Sequence, residues 1–138
     1  LGRYYDLTGP VIHGDGRGHM INVPTANIQA PAGKIIPLNG IYACWAWLEN
    51  SNRGSDKGSS AGKKFPAATN VGVRPTFTPD LPAPAIEAHL LNFNRDLYGQ
   101  QVRLEFVEYI RPEEKFSSVE ALVEQIHADI ALTRKILT

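Results

Sequence analysis

Near the C-terminal end, Val119, Leu122, Val123, Ile126, Ile130, Thr133 and Leu137 recur at spacings of three and four, one stripe of a 3.6-residue period. The spacing predicts a helix over 118–137. Ser117 followed by Glu120 matches a capping box, and early Glu120 and Glu124 with late Arg134 and Lys135 match the helix dipole. Most other segments read as strands. Ile41 to Leu48 (IYACWAWL) follows the turn pair Asn39-Gly40 and is rich in aromatic and apolar residues suited to a pleated surface. Ile86 to Leu91 and Val102 to Ile110 alternate in part, with Val102, Leu104 and Phe106 on one face and Arg103 and Glu105 on the other. Shorter candidates are Tyr4 to Leu7, Gly9 to His13 and Phe65 to Gly72. Several short strands broken by Gly and Pro, then one helix, predict a mainly β fold: a small antiparallel barrel capped by a C-terminal helix. The polar stretch Glu49 to Lys64 reads as a hairpin excursion, and Thr78 to Pro84 as an extended surface loop.

Composition narrows the picture. At 138 residues the chain is expected to form one domain, 1–138. Fourteen basic residues balance fourteen acidic ones, so no global positive field exists to condense onto a phosphate backbone. A nucleic-acid partner is therefore not expected. No stretch approaches the roughly 18 apolar residues of a membrane span, so no membrane partner is expected either. Cys44, the sole cysteine, sits in an apolar run and reads as a buried thiol in a reducing, cytoplasmic compartment. A chain starting at Leu1 rather than Met reads as a domain of a longer polypeptide.

Candidate chemistry concentrates in His13 to Asn27 (HGDGRGHMINVPTAN). Gly14, Gly16 and Gly18 let backbone N–H groups approach a ligand closely, and Arg17 adds a planar cation suited to phosphate; the same run also reads as a flexible turn. Thr25 and Asn27, two apart in an extended segment, offer a hydroxyl and an amide oxygen to one hard cation such as Mg2+, or form an ordinary polar turn after Pro24. Glu87 and His89 share one strand face, opposite Ile86, Ala88 and Leu90. They are either solvent-facing or the place of a general base, Glu87, for a hydroxyl nucleophile. The nearest match to a Walker A loop, Gly58 to Lys64, fails in spacing and in its last residue, and the four histidines form no H-E-x-x-H or Cys/His cluster.

Taken in order, His13-Gly-Asp-Gly-Arg-Gly18, Pro24-Thr-Ala-Asn27, Asn39-Gly-Ile-Tyr42, Asn70-Val-Gly-Val-Arg-Pro-Thr-Phe77, Ile86-Glu-Ala-His-Leu-Leu91, Asp96-Leu-Tyr-Gly99 and Arg111-Pro-Glu-Glu-Lys-Phe116 resemble the riboflavin kinase domain over nearly the whole chain. The resemblance implies a six-stranded antiparallel Greek-key barrel with a C-terminal helix, and phosphoryl transfer from ATP to the riboflavin 5′-hydroxyl, giving FMN and ADP. It implies that Thr25 and Asn27 help hold Mg2+ and the terminal phosphates, and that Glu87 is the base. The loop of Gly14, Gly16, Arg17, Gly18 and His19 would close over the nucleotide, with His89 also on the nucleotide side. Leu97 and Tyr98 would border the adenine, and Arg111, Glu113 and Phe116 the flavin. In bacteria such a domain commonly follows an FMN adenylyltransferase domain in one chain. The family usually has Gly-Phe or Gly-Ile where Asn22 and Val23 stand, and a basic residue where His19 stands. The alternative reading is a non-catalytic barrel that binds flavin, or single-stranded nucleic acid through Tyr4, Tyr5, Trp45 and Trp47. Zero net charge argues against the latter, and the aromatic residues read better as core.

Overall fold

In a computed structural model of the chain, six strands precede one helix: β1 (Tyr5–Ile12), β2 (Ala26–Ile28), β3 (Gly40–Leu48), β4 (Lys64–Arg74), β5 (Ala83–Leu90), β6 (Gln101–Arg111) and α1 (Val119–Leu137). The structure describes residues 4–12, 25–31, 33–48, 63–74, 83–91 and 97–137. The strands close a barrel in the spatial order β1-β2-β5-β4-β3-β6, with every neighbouring pair antiparallel. The expected fold class is the observed one. Closure gives each strand a paired neighbour on both sides, although the three-residue β2 covers β1 only at Val11 and Ile12.

Alternation of side chains decides what fills the ring. Leu7 and Val11 of β1, Ile28 of β2, Leu48 of β3, Val71 of β4, Ile86 and Leu90 of β5, and Val102 and Leu104 of β6 point inward and are buried. Ala26, Ala46, Ala67 and Ala88 lie among them and leave room for these larger neighbours. Cys44 belongs to this interior, and burial pushes its thiol up to about 12.

Two short candidates, Tyr4 to Leu7 and Gly9 to His13, are one strand. Gly9 reads as a break, yet the reason for glycine there is a close approach. A Cβ on Gly9 would lie 2.0 Å from the Gln29 carbonyl oxygen, just where β1 crosses to β2. The strand after Pro24 is only three residues long, too short for alternation to show.

Strand β3 changes character halfway along. Ile41 and Ala43 point out of the barrel but are buried, because α1 packs across the outside of β3 and β4. Beyond the helix, Trp45 and Trp47 point outward and are only half-buried. The Lys64 Nζ lies 4.2 Å from the Trp45 ring centre, and the Arg103 guanidinium 5.0 Å from that of Trp47. These tryptophans, with the exposed Tyr4 and Tyr5, are therefore surface rather than core, since long cationic side chains shield their faces from water.

The helix itself departs from its sequence pattern at both ends of the argument. Ser118, not Ser117, caps it: the Ala121 N–H donates to Ser118 Oγ at 3.1 Å. Val119 is 60% exposed, while the two buried residues of the helix are polar, Asp129 and Thr133.

Candidate active site

Strand register places one residue from each of five strands on a single belt around the outside of the barrel. Asn27 of β2 pairs with Glu87 of β5, Glu87 with Asn70 of β4, Asn70 with Ile41 of β3, and Ile41 with Arg111 of β6. Continuing the β2–β5 register by one residue puts Thr25 opposite His89, which pairs in turn with Ala68. Glu87 and His89 face outward, yet this face is roofed by α1 and by the strap 112–118 that leads into it.

Between belt and roof lies a cavity of about 670 Å³, a size that suits a ligand of a few hundred daltons. Thr25, Asn70, Glu87 and His89 supply its polar wall, and Ile41, Ala68, Leu122 and Ile126 an apolar one. Arg111, Glu113 and Phe116 close it from the strap side. Gly72 matters here, because a Cβ on it would lie 2.5 Å from Glu113 Oε2; the bare backbone lets that carboxylate settle onto the sheet.

The roof is fastened by charge. Arg111 donates to Asp129 through Nε (3.0 Å) and Nη2 (2.7 Å), a bidentate pair, and Gln125 Nε2 donates to the same carboxylate at 3.0 Å. Nη1 donates to the Pro112 carbonyl, with Glu114 3.7 Å away. The hydrogen bonds to Asp129 raise the Arg111 pKa further. Arg111, which the resemblance sets at the flavin, holds β6, the strap and α1 together while standing on the cavity wall. Burial lowers His89 to about 4, against a smaller opposing pull from Asp129, so this imidazole is neutral near pH 7.

The structure brings together Thr25, Glu87, His89, Arg111, Glu113 and Phe116 on one cavity. Asn27 stands beside them on the belt, and its Oδ1 is buried with no hydrogen-bond partner among the described residues. That orphaned oxygen and the Thr25 hydroxyl form a neutral oxygen donor pair fitting a small, hard, largely hydrated cation. Among the described residues no three His, Cys, Asp or Glu side chains converge as metal ligands. Leu97 is drawn into the barrel core, leaving only its backbone to meet a ligand, whereas Tyr98 is 54% exposed; neither lines the cavity. Gly14, Gly16, Arg17, Gly18 and His19 lie outside the described residues. Sequence reasoning missed Asn70 and Asp129. Asn70 carries a signal only once its strand is registered against Glu87, and Asp129 hides in the helix as an ordinary acid.

A family model described as riboflavin kinase matches residues 1–137. The bifunctional riboflavin kinase/FMN adenylyltransferase of Bacillus subtilis is 37% identical over 94% of this chain and 37% of that protein. The riboflavin kinase of Eremothecium gossypii is 32% identical over 92% of this chain and 80% of its own length. A solved structure from Streptococcus pneumoniae described as a macrolide-efflux protein superposes with a TM-score of 0.80 at 31% identity, covering 95% of this chain and 38% of that one. Riboflavin kinase from Trypanosoma brucei shares the fold, with a TM-score of 0.62 at 24% identity over 98% of this chain and 80% of its own. The chain spans a little over a third of the length of the bacterial bifunctional relatives.

Proposed function

The chain belongs to the riboflavin kinase family, and from that premise we propose that it transfers the γ-phosphate of ATP to the 5′-hydroxyl of riboflavin, giving FMN and ADP. The observation that carries this reading is the placement of Glu87: an acid on an outward strand face, yet at the wall of a roofed cavity and flanked in register by two amides. In the proposed reaction the riboflavin O5′ attacks the γ-phosphorus while Glu87 takes the hydroxyl proton. The bond from γ-phosphorus to the bridging oxygen breaks, and its electron pair leaves with ADP. Positioning and charge neutralisation supply most of the rate in such transfers, so one well-placed carboxylate suffices on the protein side.

Thr25 and Asn27 would hold Mg2+. When bound, the cation offsets the negative charge of the phosphates. His89, neutral and in register with Thr25, meets the nucleotide side as a hydrogen-bonding group rather than an ion. Leu97 through its backbone and Tyr98 border the adenine, and Gly14, Gly16, Arg17, Gly18 and His19 bind the phosphates. On the other side Phe116, Glu113 and the apolar residues of α1 receive the flavin, with Arg111 fixing the roof above it. FMN is the substrate of the second activity named for the bacterial relatives, so we place an FMN adenylyltransferase, preceding this unit in the same chain, among its partners. The cytoplasm is the proposed location, on the strength of the single buried thiol of Cys44.

The test is FMN formation from riboflavin, ATP and Mg2+, followed by chromatography of the flavins. Glu87→Gln should lower kcat by about 100-fold while leaving nucleotide affinity in place. Unchanged turnover in that variant would remove Glu87 from the role.

A further inference from the structure

We propose that Asn70 is a specificity-determining residue of this cavity, its side-chain amide binding the acceptor hydroxyl adjacent to the one that is phosphorylated. The proposal rests on the riboflavin kinase reading and assigns the site's preference among alcohols.

Asn70 stands directly opposite Glu87 in the β4–β5 register, with both side chains on the outward face and at the cavity wall. Cross-strand neighbours on one face have Cβ atoms about 4.5–5.5 Å apart, within reach of two adjacent hydroxyls on one carbon chain. The Asn70 Oδ1 is buried with no hydrogen-bond partner among the described residues, a costly state for an amide oxygen. Its cavity neighbours do not relieve it. Ile41 and Ala68 have no side-chain donor, and the Arg111 guanidinium is directed to Asp129, Pro112 and Glu114. The missing donor therefore enters with the ligand.

The chemistry of that donor follows from its neighbour. An ionised Glu87 is an acceptor only, and so is the Asn70 oxygen, so the pair calls for two O–H donors side by side: a vicinal diol. A hydroxyl both donates and accepts, so either face of the amide serves. The terminal hydroxyl goes to Glu87 and its neighbour to Asn70, which fixes rotation about the bond between them and leaves the nucleophile aimed. In riboflavin these are the 5′- and 4′-hydroxyls. A simple primary alcohol, or a polyol lacking that neighbour, leaves the amide oxygen orphaned and is rejected.

The test compares riboflavin with an analogue lacking the 4′-hydroxyl, using the wild type, Asn70→Ala and Asn70→Ser. The wild type should favour riboflavin in kcat/KM by at least about tenfold. Asn70→Ala should bring that ratio to within about twofold of one, because only the riboflavin value falls. Asn70→Ser decides by the same criterion should the alanine variant fail to fold. The ratio of dissociation constants for the two flavins, read by quenching of flavin fluorescence, decides it for any variant without turnover. A wild type indifferent to the 4′-hydroxyl, or a preference undiminished in the variants, overturns the proposal. A wild type that binds both flavins but forms no FMN overturns the kinase reading instead, while the binding ratio still tests Asn70.

Discussion

Replacing Asp129 by alanine removes the acceptor for Arg111 Nε and Nη2 and for Gln125 Nε2 at one stroke. The Arg111 side chain is 15% exposed and that of Asp129 7%, so the cation left behind is largely out of water. Breaking a buried pair from one side costs about 3–5 kcal/mol. The surviving Pro112 carbonyl and Glu114 put this case at the low end, about 3 kcal/mol. At roughly 2.1 cal/mol/K per residue, 138 residues give an unfolding entropy of about 290 cal/mol/K, so Tm should fall by about 10 °C. Circular dichroism melts of the wild type, Asp129→Ala and the double variant Arg111→Leu/Asp129→Leu measure this directly. The double variant should regain much of the loss, because no uncompensated charge remains. The same loosening of the roof should raise the KM for riboflavin and spare that for ATP. An Asp129→Ala melt within about 3 °C of the wild type, equivalent to about 1 kcal/mol, would refute the view that this pair fastens α1 to the barrel.

Gly72→Ala should melt within about 3 °C of the wild type, because the new Cβ, 2.5 Å from Glu113 Oε2, displaces only the tip of a flexible side chain. Moving that carboxylate should raise the KM for riboflavin by about 3–10-fold with kcat little changed, as steady-state kinetics would record. His89 is held neutral, its pKa lowered by burial from 6.5 to about 4. Between those values the unfolded chain binds more protons, so stability is complete above pH 6.5 and declines as pH falls toward 4, by at most about 3 kcal/mol. Denaturant titrations across that window should show the decline, and His89→Gln should flatten it. Cys44, with its thiol pushed up to about 12 inside the barrel, should resist iodoacetamide at pH 8 until denaturant unfolds the chain, as intact-mass measurement would show.

Which features sequence reveals depends on how many neighbours each residue answers to. The strands β5 and β6 were legible because their inward positions answer only to the core and keep a period of two, and β3 because its apolar run follows a turn pair. The pair Glu87 and His89 was legible as a face, but not as the wall of a cavity, because the roof comes from a helix some thirty residues further on. Trp45 and Trp47 read as core because apolar bulk suggests burial; the cations that cover them, Lys64 and Arg103, come from other strands. Val119 continues a helical stripe past the point where the barrel beneath it ends, so periodicity alone overstates its burial. Asn70 was legible only as the start of a motif and Asp129 not at all, since each acquires its place in the site from a partner fixed by tertiary packing. For the same reason, the fastening contact of Arg111 with Asp129 could not be read from sequence.

The belt has a consequence for how this molecule can be altered. Its five residues come from strands scattered along the chain and meet only through the register of a closed ring. A one-residue insertion inside β4 or β5 would turn Asn70 or Glu87 toward the barrel interior and an inward-facing neighbour toward the cavity. Register within the strands is therefore what an insertion puts at risk. No single strand holds the belt, so it cannot be cut out or transplanted as one segment.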